Sequence, residues 1–259
     1  MNQLSDPIAV FDSGMGGISV LKEMTKLMPN EDFIYYGDSK NAPYGTKTLE
    51  EVRKFTIEHI TNFIEKKHVK AVAVACNTAT SAAVRILRDM YPDLPLVGIE
   101  PAIKPAVLAC EHAKVLVMAT PMTLHEEKFH NLEKLYENQA EIYPLPCPGL
   151  MEFVEQGILS GEHLENFIHR LLDPYKEKQI TGIVLGCTHY PFLKNLIQEI
   201  AGPSVTIFDG GYGTAKELLR RLTVSNLKNP NHTHKGSVTF LNSSEDPKLL
   251  ELSRKLYLS

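Results

Sequence analysis

Eight short apolar runs, separated by turn residues and amphipathic stretches, constrain the fold of this chain most strongly. Continuous apolar runs of this length indicate strands that are buried on both faces, which is typical of parallel sheets. The stretch 48–67 has helical periodicity, and Thr48 with Glu51 forms a capping-box start. Alternating strands and helices predict an α/β fold with right-handed crossovers. The predicted strands are 7–11, 32–36, 70–75, 94–99, 114–119, 140–145, 182–186 and 205–210.

The pattern of the first half of the chain recurs in the second half. Residues 8–21 and 115–129 each run from a strand through a tight polar turn into a helix, and each half later has an apolar run that ends in a cysteine. We therefore predict two similar α/β lobes with parallel-sheet cores that face each other. The first lobe comprises 1–97 with 208–259, and the second comprises 98–207.

Composition and charge exclude several classes of protein. The 259 residues carry a formal net charge of −4, so we expect no binding to nucleic acid or to an anionic membrane. No apolar stretch approaches the ~20 residues that span a bilayer, and the N-terminal residues do not resemble a secretory signal. The four cysteines form no CxxC motif and no zinc-ligand spacing. We expect no metal, no disulfide framework and a reducing cytoplasm.

One junction, in which an apolar run ends in a cysteine, occurs twice. Cys76 stands in "AVAVACNTAT" and Cys187 stands in "GIVLGCTHYP". Ligands of α/β sheets bind beyond the carboxyl ends of the strands. A helix that starts there favours a thiolate through the partial positive charge of its N-terminus. Its free N–H groups, with Asn77, Thr78 and Thr188, would hold a carboxylate.

Two such junctions facing one small anionic molecule predict a reaction that inverts configuration. One cysteine removes a proton from a tetrahedral carbon, and the other returns a proton to the opposite face. A single cysteine in such a run is ordinarily a buried small apolar side chain, and we keep that interpretation for Cys110 and Cys147. The pattern shared by Cys76 and Cys187 favours catalysis.

Polar residues near the ends of the runs are the remaining candidates. The turn "FDSGMGG" fits neither phosphate-loop pattern, so it does not indicate a nucleotide. His232 and His234 lie in a polar segment that we interpret as a surface loop without a metal. The candidates that we retain are Asp12, Ser13, Tyr44, Glu155 and His189.

Five motifs together resemble those of bacterial glutamate racemases. They are "FDSGMGG", "APYG", "ACNTAT", "FVEQG" and "GCTHYP", which occur here in the order and spacing of that family, from about residue 7 to about residue 220. The resemblance implies two α/β lobes with parallel-sheet cores that are related by a pseudo-twofold axis, with the active site in the cleft between them. It implies racemisation of L- and D-glutamate without pyridoxal phosphate, metal or nucleotide. It also implies a supply of D-glutamate for peptidoglycan, and a homodimer is common in the family.

The resemblance also implies roles for individual residues. Cys76 resembles the base that acts on D-glutamate, and Cys187 resembles the base that acts on L-glutamate. Asp12 resembles the carboxylate that assists Cys76, and it also meets the substrate ammonium. His189 and Glu155 resemble the pair that assists Cys187.

A larger group of residues matches the substrate-binding positions of the family. In "CPGLMEFVEQG" a second acidic residue, Glu152, precedes Glu155, and the "VEQG" context favours Glu155 as the family's carboxylate. The segment after about residue 225 matches weakly and has no predicted role. The matching binding positions are Asp12, Ser13, Tyr44, Gly45, Asn77, Thr78, Thr188 and His189.

Three alternatives stay open at this point. A racemase for aspartate or another small acid differs by one methylene of substrate, which contributes only ~1–3 kcal/mol in a pocket. A non-catalytic two-lobe module that binds an acidic ligand predicts that the thiols are dispensable. A nucleotide-dependent enzyme is weakened by the absence of a phosphate-loop lysine after "DSGMGG".

Overall fold

The structure, a computed structural model, describes residues 4–259, and of Lys128 it describes only the backbone. The chain divides into two compact units. Unit 1 contains the residues up to Ile99 together with Gly211–Ser259, and unit 2 is Glu100–Gly210. The lobe boundaries predicted at 97/98 and 207/208 stay predictions. None of the helices among the described residues is long and apolar enough to cross a membrane.

Strands and helices alternate along most of the chain, as the apolar runs predict. Each of the eight predicted strands is present, and the first strands of both units are completely buried or nearly so. In chain order the elements are β1 (Ile8–Asp12), α1 (Ile18–Leu27), β2 (Phe33–Gly37), α2 (Leu49–Lys67), β3 (Ala71–Val74), α3 (Asn77–Met90), β4 (Leu96–Gly98), α4 (Ile103–Val107), β5 (Ala113–Ala119), α5 (Pro121–His125), α6 (Glu127–Tyr136), β6 (Ala140–Pro146), α7 (Leu150–Glu155), α8 (Glu162–Leu172), β7 (Gly182–Leu185), α9 (Lys194–Ala201), β8 (Thr206–Asp209), α10 (Gly211–Val224), β9 (Val238–Asn242) and α11 (Pro247–Leu258).

Helix α2 begins where its capping residues predict. Thr48 lies in extended conformation before the helix, and its hydroxyl accepts a hydrogen bond from the Glu51 amide while the Glu51 carboxylate accepts one from the Thr48 amide. These bonds satisfy backbone donors that the first turn of a helix leaves without partners. The start of this helix was therefore predictable from four residues of local sequence.

Unit 1 is built on a five-stranded parallel sheet with the order β4-β3-β1-β2-β9. Asp12 at the end of β1 pairs with Gly37 of β2, and Phe11 pairs with Val74 of β3. Because parallel strands in register end at the same edge, the residues that follow β1, β2 and β3 meet there. This edge brings together Asp12, the segment after Gly37 and the segment after Val74.

Unit 2 is built on a four-stranded parallel sheet with the order β6-β5-β7-β8. Met118 of β5 pairs with Leu185 of β7, so the segment after Leu185 lies beside the end of β5. Residues packed around β5 and α4 form a buried apolar cluster that supports this sheet. The two cores confirm the predicted α/β fold with parallel sheets.

The two sheets have the same topology within their own units. In each, the first strand lies between the second and the third, and the fourth strand lies outside the third. Strands β1 to β4 therefore correspond to β5 to β8. Cys76 follows β3 and Cys187 follows β7, so the two cysteines occupy corresponding positions.

Strand β9 has no counterpart in unit 2 and was not predicted from the sequence. It extends the unit 1 sheet beyond β2, and its burial is only partial. The segment before it is held at the amino end of β2, where Asp32 accepts hydrogen bonds from the amide and hydroxyl of Ser237 at 2.8 and 2.6 Å. His234 also contacts the Asp32 carboxylate, at 3.0 Å, and so belongs to this anchor.

Candidate active site

The end of β1 supplies a buried carboxylate to unit 1. Asp12 has 0% exposure, and its Oδ1 accepts a hydrogen bond from the amide of Gly14 at 2.8 Å. Ser13 is buried beside it, and its hydroxyl lies 3.4 Å from the Cys76 sulfur. The turn after β1 thus places a carboxylate and a hydroxyl next to the first candidate thiol.

Cys76 is the residue that caps α3. Its backbone is extended, and its sulfur accepts a hydrogen bond from the Ala79 amide at 3.4 Å. A sulfur in this position meets the partial positive charge and free N–H groups of a helix N-terminus, which favour the ionised form. The predicted strand–cysteine–helix junction is therefore present in unit 1.

The residues after Cys76 place further polar groups in the first turn of α3. Asn77 and Thr78 are both buried, at 5% and 3% exposure. Within the described chain, neither the oxygen nor the nitrogen of the Asn77 side-chain amide has a hydrogen-bond partner. Burying an amide without partners is unfavourable, so this group is suited to a polar ligand.

The segment after β2 contains two short 3₁₀ turns, Ser39–Asn41 and Tyr44–Thr46, and Tyr44 begins the second. Its hydroxyl donates a hydrogen bond of 2.6 Å to Asp38, which is also fully buried. Burial, followed by the hydrogen bond and charge of Asp38, raises the pKa of the Tyr44 phenol, so the phenol keeps its proton. Gly45 follows it and is partly exposed.

The backbone at Gly17 lies so close to Asp12 that there is no room for a side chain at this position. A Cβ at this position would lie 2.7 Å from the Cβ of Asp12 and 2.9 Å from that of Ala75. We expect Gly17→Ala to displace Asp12 and to lower kcat/KM for the chain's reaction about 10²-fold, because small misplacements of reacting groups have effects of that size. Steady-state kinetics measures the change.

The matched control for that substitution is Gly213→Ala in α10. A Cβ there would meet nothing within 4 Å, and alanine favours a helix over glycine. This variant should keep full activity and a similar midpoint of thermal unfolding. An unchanged kcat/KM for Gly17→Ala would show that the position of Asp12 is unimportant.

The junction at Cys187 differs from the predicted one. Cys187 does not cap an α-helix; it enters a turn that leads to a 3₁₀ helix at Tyr190–Leu193, and only then to α9. The prediction of a helix N-terminus at both cysteines is therefore wrong for Cys187. The proline and the short polar Thr188 in "CTHYP" favour a tight turn, which keeps the cysteine at the strand end without an α-helix directly behind it.

A histidine takes the place of the helix in unit 2. Nδ1 of His189 lies 3.5 Å from the Cys187 sulfur, and its Nε2 lies 2.6 Å from Oε1 of Glu155. Burial works against the charged ring, but hydrogen bonds to Cys187 and Glu155, and their charges, raise the pKa of His189 well above its usual range. These contacts favour a protonated His189, which the Glu155 carboxylate holds beside the Cys187 sulfur.

Glu155, rather than Glu152, is the carboxylate that reaches His189. Glu155 ends α7, whose entry at Gly149 has a positive φ of 88°. Glu152 lies one turn earlier, and its Oε2 is buried without a hydrogen-bond partner among the described residues. Thr188, between the cysteine and the histidine, is also buried.

The two remaining cysteines differ from each other. Cys147 is buried, its thiol donates to the Leu145 carbonyl at 3.3 Å, and burial raises its pKa, so it stays a thiol. Cys110 is exposed, and the prediction of a buried side chain there is wrong. It lies after α4 has ended at Val107, in a turn before β5, where the periodicity of the helix no longer applies.

Two residues near the candidate site were not predicted from the sequence. Asp38 connects Tyr44 to the rest of unit 1, and Tyr190 is fully buried with its hydroxyl donating to the Cys147 carbonyl at 3.2 Å. Asp38 lies just before "APYG" and Tyr190 lies within "GCTHYP", so the motifs indicate that both are near the site. Their hydrogen-bond partners could not be predicted from the motifs. Among the described residues, no group of three or more His, Cys, Asp or Glu side chains could hold a metal ion.

Comparison with known proteins identifies the class to which this fold and this site belong. A family model described as Asp/Glu/hydantoin racemase matches residues 11–218. The chain therefore belongs to the Asp/Glu/hydantoin racemase family, which makes it an isomerase. The match contains both cysteine junctions and ends within α10.

Individual relatives place the chain within that family. A glutamate racemase from Clostridium perfringens is 53% identical over 250 residues, which cover 96% of this chain and 95% of the relative. The crystal structure of glutamate racemase from Francisella tularensis in complex with D-glutamate has a TM-score of 0.84 at 29% identity, covering 99% of this chain and 95% of that one. The Escherichia coli glutamate racemase, in complex with L-glutamate and the activator UDP-MurNAc-ala, has a TM-score of 0.84 at 27% identity over 96% and 95%. Within the family, the chain groups with the glutamate racemases.

Proposed function

We propose that this chain interconverts L- and D-glutamate with two cysteine thiols and no cofactor. The observation that carries the proposal is the correspondence of Cys76 and Cys187, which follow equivalent strands in two sheets of the same topology. Each is buried, free of disulfides and next to polar groups that stabilise an ionised sulfur. Relatives that are glutamate racemases, one of them bound to D-glutamate and another to L-glutamate, support the choice of substrate.

The proposed reaction moves one proton from the substrate and one proton to it. Starting from L-glutamate, the thiolate of Cys187 takes the α-proton, and the thiol of Cys76 gives its proton to the opposite face of Cα. Starting from D-glutamate, the same groups exchange roles. One sulfur must be ionised and the other protonated at the start of each turnover, and exchange with water restores that state.

The polar residues around the two thiols have separate tasks in this proposal. The α-proton of an amino acid is very weakly acidic, so hydrogen bonds must strengthen as negative charge develops on the substrate carboxylate. Ser13, Asn77, Thr78 and Thr188, with Gly45 and Tyr44, bind glutamate. Asp12 assists Cys76 and meets the substrate ammonium, while His189 and Glu155 assist Cys187.

We assign the chain to cell-wall biogenesis, with D-glutamate supplied for peptidoglycan, because its relatives are bacterial glutamate racemases and one of them was crystallised with the activator UDP-MurNAc-ala. We further propose that it works in the cytoplasm, because the proposed chemistry needs reduced thiols and none of the four cysteines forms a disulfide. A homodimer stays a prediction, and light scattering of the purified chain tests it.

Solvent deuterium tests the two-base reaction directly. In heavy water with a chelator and no added cofactor, circular dichroism should show that either enantiomer of glutamate loses its optical activity. The product enantiomer should carry deuterium at Cα, and the remaining substrate should not, because each thiol carries a single proton.

Two results would contradict the proposal. Retention of the substrate proton in the product would require one base rather than two. Equal turnover of aspartate would remove glutamate as the specific substrate and favour a racemase for small acidic amino acids in general.

A further inference from the structure

Strand β9, near the C-terminus, ends beside the segment of unit 1 that contains Tyr44 and Gly45. No sequence motif predicted a role for this strand. β9 pairs in parallel with β2, from Val238 beside Phe33 to Asn242 beside Gly37. It therefore ends at the same edge of the sheet as β2 does. At this edge the chain leaves β2 and enters residues 38–46, here called the substrate loop, which carry Tyr44 and Gly45.

Two side chains at the end of β9 hydrogen-bond to the first turn of the substrate loop. The hydroxyl of Ser243 accepts a hydrogen bond from the Lys40 amide at 2.9 Å, and the amide of Asn242 donates to the hydroxyl of Ser39 at 2.9 Å. The backbone continues the ladder, since the Ser243 amide donates to the Gly37 carbonyl at 2.9 Å. The loop is thus fastened at its start by residues about 200 positions further along the chain.

Asp38, the first residue of the substrate loop, binds Tyr44 further along the same loop. Its carboxylate accepts a hydrogen bond from Tyr44 at 2.6 Å, two from the amide of Asn41 at 3.1 and 3.0 Å, and lies 3.2 Å from Nε2 of His59. The Ser243 hydroxyl also lies near this carboxylate and helps to lower its pKa. The substrate loop, whose first turn is held by β9 through Lys40 and Ser39, therefore contains the carboxylate that binds its own tyrosine.

The ionised state of this carboxylate fits that role. Burial acts to raise the pKa of Asp38, but the polar groups of His59, Tyr44, Ser243 and Asn41 outweigh burial and hold the pKa below its usual range. The hydrogen bonds to Asp38 are consequently charge-assisted, which makes each of them stronger than a neutral one.

We propose that Ser243 and Asn242, at the end of β9, are positioning residues that hold the substrate loop in its binding conformation. The inference rests on the proposed function, because it assigns Tyr44 and Gly45 to glutamate binding. β9 is a partly buried edge strand, and Phe240 in its middle packs against Tyr35 of β2 and Tyr257 of α11. Its contacts with the substrate loop are made separately, at its carboxyl end.

The experiment compares Ser243→Ala with two other substitutions in the same strand region. Ser243→Ala should raise the KM for both glutamate enantiomers about fivefold to tenfold and change kcat less than twofold, because an unfastened loop must be ordered at binding. Ser243→Thr keeps the hydroxyl and should restore the KM. Thr239→Ala removes an exposed hydroxyl from the middle of β9 and should change neither constant.

A second measurement is independent of catalysis. Hydrogen exchange of the free protein should be faster in residues 38–46 of Ser243→Ala than in the unmodified chain, and unchanged in Thr239→Ala. A lowered kcat at constant KM, or equal effects of Ser243→Ala and Thr239→Ala, would overturn the inference in favour of a purely structural strand. If Ser243→Ala does not fold, Asn242→Ala gives the same comparison.

The failure of the inference can be distinguished from failure of the proposed function. If the unmodified chain does not racemise glutamate, the proposed function is wrong, and the exchange rates of residues 38–46 still decide whether β9 fastens the loop. If the chain racemises glutamate and Ser243→Ala leaves both KM and exchange unchanged, only the inference is wrong.

Discussion

Replacing either Cys76 or Cys187 with serine is expected to lower kcat/KM for glutamate racemisation about 10³-fold. A hydroxyl is a far weaker acid than a thiol, so the variant loses one of two proton-transfer groups, and such groups contribute 10² to 10⁴ in rate. The two enantiomers have equal free energies in water, so kcat/KM must fall by the same factor in both directions. Circular dichroism with each pure enantiomer measures both rates.

The other two cysteines provide matched controls for these variants. Cys110→Ser changes an exposed side chain, and Cys147→Ser changes a buried one that remains protonated. Both should retain most of the activity of the unmodified chain. Calorimetry should show that the Cys76 and Cys187 variants still bind glutamate. Near-normal racemisation by either variant would show that its thiol is dispensable and would contradict the two-base reaction. Glutamate binding without racemisation by the unmodified chain would support the alternative of a non-catalytic module that binds acidic ligands.

The sequence predicted those parts of the molecule that depend on local pattern. Apolar runs predicted the strands β1 to β8, and Thr48 with Glu51 predicted the start of α2. Cys76 at the N-terminus of α3 is a prediction of the same kind, since a strand end, a cysteine and an amphipathic stretch follow one another directly. In each case the residues that determine the structure are within a few positions of one another.

Features that depend on partners distant in sequence were not predictable in this way. Asp38 is buried because Tyr44, His59 and Ser243 surround it, and Ser243 is about 200 residues away. The partly exposed strand β9 is a short run, VTFLN, between polar segments, and it lacks the continuous apolar run of a central strand. Its residues favour a strand, but nothing local in the sequence indicates that it pairs with β2. The predicted α-helix directly after Cys187 is wrong for a local reason. The proline of "CTHYP" favours a 3₁₀ helix, which comes before α9.

The difference between the two junctions has a chemical consequence. In unit 1 the sulfur of Cys76 is stabilised by backbone N–H groups, whose partial charge does not change with pH. In unit 2 the sulfur of Cys187 lies beside His189, whose charge depends on protonation. The reactivity of Cys187 should therefore respond to the residues that hold the proton on His189, while that of Cys76 should not.

Glu155→Gln is expected to lower kcat/KM for racemisation about 10- to 100-fold. The substitution removes the charge of the carboxylate that holds His189, and a hydrogen bond to a charged group contributes about 1.5–3 kcal/mol. The pKa of His189 should fall, because its contact of 2.6 Å with Glu155 is one of the causes that raise it. Titration of the His189 ring by nuclear magnetic resonance measures this change.

The pH dependence of stability provides a second readout for the same substitution. Because the pKa of His189 is higher in the folded than in the unfolded chain, its contribution is fully present below about pH 6.5 and is lost as the pH rises through the folded-state pKa. The free energy of unfolding of Glu155→Gln should therefore differ most from that of the unmodified chain near pH 6, and the difference should shrink towards alkaline pH. Urea unfolding at several pH values gives the curve.

Isotope effects show which of the two proton transfers the substitution slows. In Glu155→Gln the transfer at Cys187 becomes the slower step, so α-deuterated L-glutamate, whose deuterium Cys187 removes, should give a larger effect on kcat/KM than α-deuterated D-glutamate. Glu152→Gln is the matched control, because Glu152 lies one turn earlier in α7 and does not reach His189. Equal isotope effects for both enantiomers, or a larger loss of activity in Glu152→Gln, would show that Glu155 does not assist Cys187.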